Sequence, residues 1–457
     1  MIMMKLFNDK QFYKSLFAIA LPIMLQSLIS SMVNMLDTIM VGQLGTVEIA
    51  SVALGNQIFF LFNLLIYGIC TGGAVFSTQF WGKKDILGIR KNQGLSLFLC
   101  LGTGIIFTIG VALFPDKIIG IYSRDLTVIK TGAVYLRNLV PVFIPFSISM
   151  VFIFTLRAVE KVKLALISTF ISLTINLILN YLFIFGAGPV PAMGVAGAAL
   201  ATVISRVVEM IILLSVTYIK KYPAAGNLKE FSGFDNSYVK RFFKIAFPVI
   251  LNEVIWSFGI TFQNFIFART GTDAIAAFNI INTFSQLTWV VFIGLASGIN
   301  VLIGKKIGEG NEDTARHYGS RVLRLAPMMA FGTIIILVLF FRTMPYIFNV
   351  NENVITIAGQ LFIVLCCAYP FRSFNISLND GICRAGGDTL FCTLYDLIGM
   401  WGFSLPLGAI ACFIFKTPVW IIYSLILLEQ PIKIIVGTWR FKSGKWLHNV
   451  IEEVKLC

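Results

Sequence analysis

Landmarks of this chain return after a fixed shift of 226 residues: Pro22 and Pro248, Gly45-Thr46 and Gly271-Thr272, Ala50 and Ala276, Asn56 and Asn282, Gly68 and Gly294, Gly72 and Gly298, Gly82 and Gly308. The sequence is therefore an internal duplication, and any fold proposed for one half must serve the other. One landmark does not repeat. Within the apolar run that starts at Pro22 there is a single carboxylate, Asp37, and its counterpart in the second copy is Gln263.

The class of fold follows from what fills the two copies. Hydrophobic residues make up 57% of the chain, 42 residues are Phe, only 13% are charged, and the mean hydropathy is +0.86. A soluble domain carries about 25% charged residues. The chain reads instead as an all-α polytopic membrane protein. Its net charge of +14 is scattered through short connectors between apolar runs, where it sets topology rather than recognising nucleic acid. Eight cysteines show no C-x-x-C spacing and no neighbouring His, so they read as small apolar fillers. The two histidines, His317 and His448, sit in charged segments, leaving no zinc site, Ser-His hydrolase or cofactor site to expect.

Apolar runs broken by charge, Gly or Pro give about twelve expected spans: roughly 17–41, 51–77, 93–114, 132–155, 164–186, 194–219, 245–268, 274–303, 325–341, 354–380, 390–415 and 418–438. The first lacks a small-residue cleavage site and is expected to stay as a span. Connectors alternate in charge. One set holds Lys5, Lys10, Lys14, Lys83, Lys84, Arg90, Lys91, Arg157, Lys161, Lys163, the clusters 220–244 and 305–324, Arg384 and the tail from Arg440 to Lys455. The other holds chiefly Lys117, Arg124, Lys130, Arg137, Arg269, Arg342 and Lys416. The richer set marks the cytoplasmic face, so both termini are expected inside, in a multi-pass cytoplasmic (inner) membrane protein. The expected organisation is an N-lobe of six helices (1–219), a cytoplasmic connector (220–244) and a C-lobe of six helices with a short tail (245–457). An even number of spans separates the copies, so the lobes share one orientation about a pseudo-twofold axis along the membrane normal.

Polar residues inside the spans are the candidates for function, since a charge at that depth costs about 3 kcal/mol or more. Asp37 in the first span is joined by Asn176 and Asn180, four apart on one face of the fifth, and by Thr202 in the sixth. All four offer oxygen, the donor that a hard cation such as Na+ or a proton site requires. In the second half Glu253 lies five residues after Pro248, beside Asn252. Asp380, Asp396 and Arg372 fall near span ends, and the pairs Arg206/Glu209 and Glu429/Lys433 are spaced to neutralise each other within one helix. The Gly-rich runs of the second span and its repeat permit close helix packing.

The segment PIMLQSLISSMVNMLDTIMVGQLGTVEIASVALGNQ, its repeat from Pro248 with GTDAIAAFNIIN, the RAGGDT of Arg384 to Thr389 and the D-x-x-G-M-W of Asp396 to Trp401 resemble the multidrug and toxic compound extrusion (MATE) transporters over nearly the whole chain. The resemblance implies a two-lobed antiporter, not an enzyme, that expels amphipathic, mostly cationic compounds in exchange for Na+ or H+. By position Asp37 is similar to the family's first-span carboxylate, Asn176 to its fifth-span asparagine and Thr202 to its sixth-span threonine, the set that would hold the cation. Where many members carry Asp four residues after that asparagine, this chain has Asn180, which removes a charge and speaks against a two-carboxylate proton relay. Glu253 is similar to a seventh-span glutamate of some members, about one turn closer to the proline.

The expected function is thus cation-coupled efflux by alternating access, with small organic cations and the lipid bilayer as partners, no nucleic acid, and a monomer as the working unit. Asp37, Asn176, Asn180, Thr202, Glu253 and Gln263 are the expected cation- or substrate-binding residues. A lipid-linked sugar flippase of the wider superfamily would want a strongly cationic cavity, and the intramembrane basic residues here are few. An intramembrane enzyme would need a nucleophile with a base, or a metal cluster, at membrane depth, and no His lies there.

Overall fold

The structure, a computed structural model, describes residues 9–186, 188–341 and 350–452. Lys5, Arg342 and Lys455 of the loop charges lie outside the described residues. Among the described residues, twelve helices are long and apolar enough to cross a membrane: α1 (Lys10–Gly42), α2 (Thr46–Gly82), α3 (Ile86–Leu113), α4 (Leu126–Ala158), α5 (Val162–Phe185), α6 (Val195–Ile219), α7 (Asn236–Ala268), α8 (Thr272–Gly308), α9 (Glu312–Leu339), α10 (Glu352–Cys383), α11 (Thr389–Ile414) and α12 (Val419–Ser443). Among the described residues there is no strand, only an isolated bridge between Gly387 and Leu447. A lipid-facing segment must satisfy its own backbone, which is why long apolar runs resolve into helices. Helices outrun the apolar windows. The 37 residues of α2 and of α8 reach about 55 Å, beyond a hydrocarbon core of about 30 Å, so their polar ends project past it.

The chain divides into two compact units, and the division falls inside helices. One unit is 25–250; the other is 1–24 with 251–457. The two boundaries, after Met24 and after Ile250, are themselves separated by the repeat shift, and each lies two residues past an intrahelical proline, Pro22 in α1 or Pro248 in α7. Proline removes one backbone hydrogen bond and crowds the preceding turn, which lets the helix change course there. Each unit is thereby completed by half a helix from the other half of the sequence, a division that the connector 220–244 does not mark.

Glycines explain how those half-helices dock. In unit 25–250, a Cβ on Gly68 of α2 would meet Ile250 Cα at 2.9 Å, and one on Gly72 would meet Ala246 Cα at 2.7 Å. In the other unit, a Cβ on Gly294 of α8 would meet Met24 N at 3.1 Å, and one on Gly298 would meet Ala20 Cβ at 2.9 Å. The two sets are related by the same 226-residue shift. Small residues at both steps let the helix backbones approach closely, which is the packing that the sequence pattern suggested.

Aromatic side chains fill what remains. Phe62 packs on Phe107, Phe143 and Phe146 in the first unit, while Phe267 stacks on Phe278 at 3.9 Å and both meet Tyr423 in the second. Cys70, Cys100 and Cys412 are buried free thiols, as the filler reading requires, whereas Cys367 is exposed.

The connector from Lys220 is not a slack linker. Leu228–Phe231 forms a helical turn closed by a capping box, in which Asn227 Oδ1 accepts from the Glu230 backbone N–H (2.9 Å) and Glu230 Oε2 accepts from that of Asn227 (2.7 Å). Arg90 on α3 then donates to Glu230 Oε1 (2.7 Å) and to the Pro223 carbonyl (3.1 Å). Gly94, one turn on from Arg90, leaves room for the Phe231 backbone. The RAGGDT motif is likewise held by the C-terminal segment: Arg440 forks onto Asp388 at 2.7 and 2.9 Å, His448 N–H donates to the Gly386 carbonyl (2.9 Å), and Trp446 is fully buried beside them.

Candidate cation-binding site

Within unit 25–250, Asp37 comes from the α1 half that follows the proline and meets α5. Asn180 Nδ2 donates to Asp37 Oδ1 at 2.6 Å. Asn176, one turn earlier, lies with its amide 3.1 Å from Asp37 Oδ2 and 3.3 Å from Oδ1 and donates to both when its NH2 faces the carboxylate. The helix period sets this pair: residues four apart share a face, and both asparagines are at least 97% buried. Among the described residues, the buried Asn180 Oδ1 has no hydrogen-bond partner. A lone carboxylate with two amides is a hard-oxygen donor set, and it fits a monovalent cation once the amides turn their oxygens inward.

Thr202 is placed differently from the asparagines. Its Oγ1 donates to the Ala198 carbonyl of its own helix at 3.0 Å, so it stands outside the hydrogen-bonded set around Asp37. Next to it on α6 is Arg206, which donates to Glu209 Oε2 at 2.8 Å. Sequence spacing marked this pair as local neutralisation, but Glu209 also accepts from Thr169 Oγ1 (2.7 Å), Thr169 accepts from Gln26 Nε2 (2.7 Å), and Gln26 Oε1 accepts from Arg157 Nη2 (2.6 Å). One continuous polar chain thus crosses α6, α5, α1 and α4. Gln26 and Thr169 were missed in the sequence because neither is charged, and because their partners are 143 and 40 residues away.

The second unit gathers more charge than the sequence suggested. Arg384, 7% exposed, lies 3.4 Å from Glu253 Oε1 and 2.8 Å from Asp380 Oδ1. Among the described residues Arg372 makes no ion pair with the acids; it donates to Ser285 Oγ at 3.3 Å and lies over the Trp289 ring. The Glu429/Lys433 pair forms at 3.5 Å (Nζ to Oε2), and the fold adds a nearer partner, Asp396 Oδ1 at 3.1 Å. Asp380 and Asn379 lie on the π-helical stretch Ser377–Cys383, and Asp396 lies two residues before the start of a second one, Ile398–Ser404. Such wide turns recur at functional sites. Gln263 is ten residues, about 15 Å, further along α7 than Glu253.

Among the described residues no group of three or more His, Cys, Asp and Glu side chains is arranged to hold a metal in the manner of a transition-metal centre. The chemistry available is binding and exchange of cations and protons on carboxylates.

Comparison with known proteins bears on the fold and the family. The MatE family model matches twice, over residues 22–182 and 248–410, so the two matches begin one repeat shift apart. The probable multidrug resistance protein NorM of Thermotoga maritima is 27% identical over 440 residues, covering 95% of this chain and 93% of that protein. The one of Pasteurella multocida is 25% identical over 403 residues, covering 86% and 85%. Among solved structures, a crystal structure of MATE in complex with MaL6 aligns with a TM-score of 0.86 at 20% identity over 94% of this chain and 97% of that one. A MOP superfamily transporter from Pyrococcus furiosus aligns at 0.84 and 20%, over 94% and 96%. These likenesses fix the fold, and the twice-matched model over most of the chain fixes the family: this multi-pass membrane protein belongs to the MatE family of multidrug efflux transporters.

Proposed function

We propose that the protein is a secondary antiporter that exports amphipathic, mostly cationic compounds in exchange for Na+ or H+ by alternating access. The observation that carries this reading is Asp37, the sole carboxylate of α1, held by the amides of Asn176 and Asn180. A carboxylate is costly at that depth, and its retention is the mark of an ion pathway. A cation drives a conformational change only by binding the two states unequally, and a carboxylate whose neighbours present either N–H or C=O supplies that difference. With the cation absent the amides donate to Asp37; with it bound they turn and share it. Thr202, one turn before Arg206 on α6, and Gln263 on α7 complete the proposed ion- and substrate-binding residues.

The relatives' names, multidrug resistance proteins, support the same substrate class. The basic loops support a cytoplasmic-membrane location with both termini inside. The test is efflux of a cationic dye from vesicles under separately imposed Na+ and H+ gradients. Acceleration by one of them is expected, and no response to either sinks antiport. A flippase would instead move lipid-linked sugar in the same vesicles, and an enzyme would show no gradient-dependent efflux.

A further inference from the structure

We propose that the connector after α6 is a docking surface for anionic phospholipid, with Leu228 entering the acyl layer and Lys220, Lys221 and Lys229 taking up headgroup phosphates. The connector does not run straight out into water. It folds back along α3, whose charged end is marked by Arg90 and Lys91. Arg90 holds Glu230, and the Phe231 backbone lies against Gly94, one turn further along the helix. One turn beyond that, the Phe234 ring meets Phe98, with 6.5 Å between centroids. Each turn is about 5.4 Å of helix axis. Phe98 belongs to the apolar run of α3 and is 68% exposed, so it stands on a lipid-facing wall. The segment 228–234 therefore lies at the depth where that helix passes from hydrocarbon to headgroups.

What the connector presents at that depth is both apolar and cationic. Leu228 is 85% exposed, and Ile219, at the end of α6, is 78% exposed. Tyr218 Oη donates to the Gly226 carbonyl at 2.6 Å, which brings the end of α6, with Lys220 and Lys221, against the turn that carries Leu228 and Lys229. Lys221 has a φ of 49°, in the left-handed region that favours glycine, so a charged side chain is kept there at the cost of backbone strain. The acids of the connector are engaged elsewhere: Glu230 accepts from Arg90 and from the Asn227 backbone N–H, and Asp235 accepts from the Tyr238 backbone N–H. Among the described residues Lys220, Lys221 and Lys229 are exposed and form no ion pair. Exposed apolar side chains ringed by lysines match a phospholipid in both of its parts, acyl chain and phosphate. An acidic protein surface would answer the lysines alone, and a zwitterionic lipid the leucine alone. This surface lies wholly in the unit 25–250 and does not rest on the Asp37 site.

Two measurements on the full-length protein test this. Leu228→Trp is reconstituted in vesicles of phosphatidylcholine, alone or mixed with phosphatidylglycerol, whose acyl chains are brominated, with the wild type as the reference for the native tryptophans. The introduced indole is expected to be quenched by the brominated chains, and more strongly when phosphatidylglycerol is present. Separately, binding of phosphatidylglycerol and of phosphatidylcholine to purified protein is followed by native mass spectrometry. The triple variant Lys220→Gln/Lys221→Gln/Lys229→Gln is expected to lose about fivefold in phosphatidylglycerol affinity for each lysine removed, with phosphatidylcholine binding unchanged. An indole that aqueous iodide quenches and brominated chains do not would overturn the proposal. So would a triple variant that binds phosphatidylglycerol as wild type does.

Discussion

Asn180 reaches across from α5 to give its amide Nδ2 to Asp37 Oδ1 of α1 at 2.6 Å, so the only carboxylate of the first helix is held by a neutral neighbour. A cation site built this way carries one negative charge, and its chemistry depends on that charge more than on any other group.

Replacement of Asp37 by Asn removes the charge and keeps the shape. Gradient-driven dye efflux is expected to fall on the order of 100-fold, the upper range of coupling between sites, while expression stays near wild type because a neutral amide is easier to insert. Vesicle efflux and membrane yield report the two quantities. Full transport in the variant would remove Asp37 from the coupling site.

Asn180→Asp sets two carboxylates face to face across the contact now spanned by N–H···O. That arrangement is stable only with a proton or a cation between them. Efflux at a fixed Na+ gradient is expected to become more pH-dependent than in wild type, or to show a tighter Na+ half-saturation of about tenfold for the doubled charge. Superimposable pH and Na+ profiles would make Asn180 a packing residue.

Gly72 is the close-approach point between α2 and the first half of α7. An alanine there places its Cβ 2.7 Å from Ala246 Cα, so the helices must part; a cost of about 1–3 kcal/mol is expected, read as a lower melting temperature in detergent. Gly298→Ala, its repeat counterpart against Ala20, is expected to match it. Gly102→Ala, which meets nothing within 4 Å, is the control that should leave melting unchanged. Equal melting of all three would refute the glycine docking.

Glu230 links the connector to α3, and its carboxyl is held below the usual glutamate range first by the Asn227 backbone N–H and then by Arg90. A depressed group stabilises the folded connector above its unfolded value of about 4.3 and loses that contribution as the pH falls through its folded value. Protection of 220–235 from protease is therefore expected across neutral pH and lost only in acid. Glu230→Gln should expose the segment at pH 7; protection equal to wild type would show that the capping box and Arg90 do not hold it.

The sequence by itself determined the helical class, the number of spans and the duplication, because burial in lipid forces each long apolar run to satisfy its own backbone and because a repeat leaves its prolines and glycines in register. It also determined that Asn176 and Asn180 share a face, since a period of 3.6 is local. What lies across helices was decided only by the tertiary structure. The sequence placed a lobe boundary at the connector, while packing groups each unit with a half-helix from the other half, the division falling two residues past Pro22 and Pro248. It paired Lys433 with Glu429 at one turn, while the fold brings Asp396 closer from 37 residues away. It put Thr202 among the oxygen donors, and the fold adds that its hydroxyl proton goes to the Ala198 carbonyl of its own helix. It gave no sign of the Gln26–Thr169–Glu209 chain. Side-chain contacts between helices depend on rotation and depth of each helix against its neighbours, and those are set by the sum of packing over the whole unit, which no local spacing encodes.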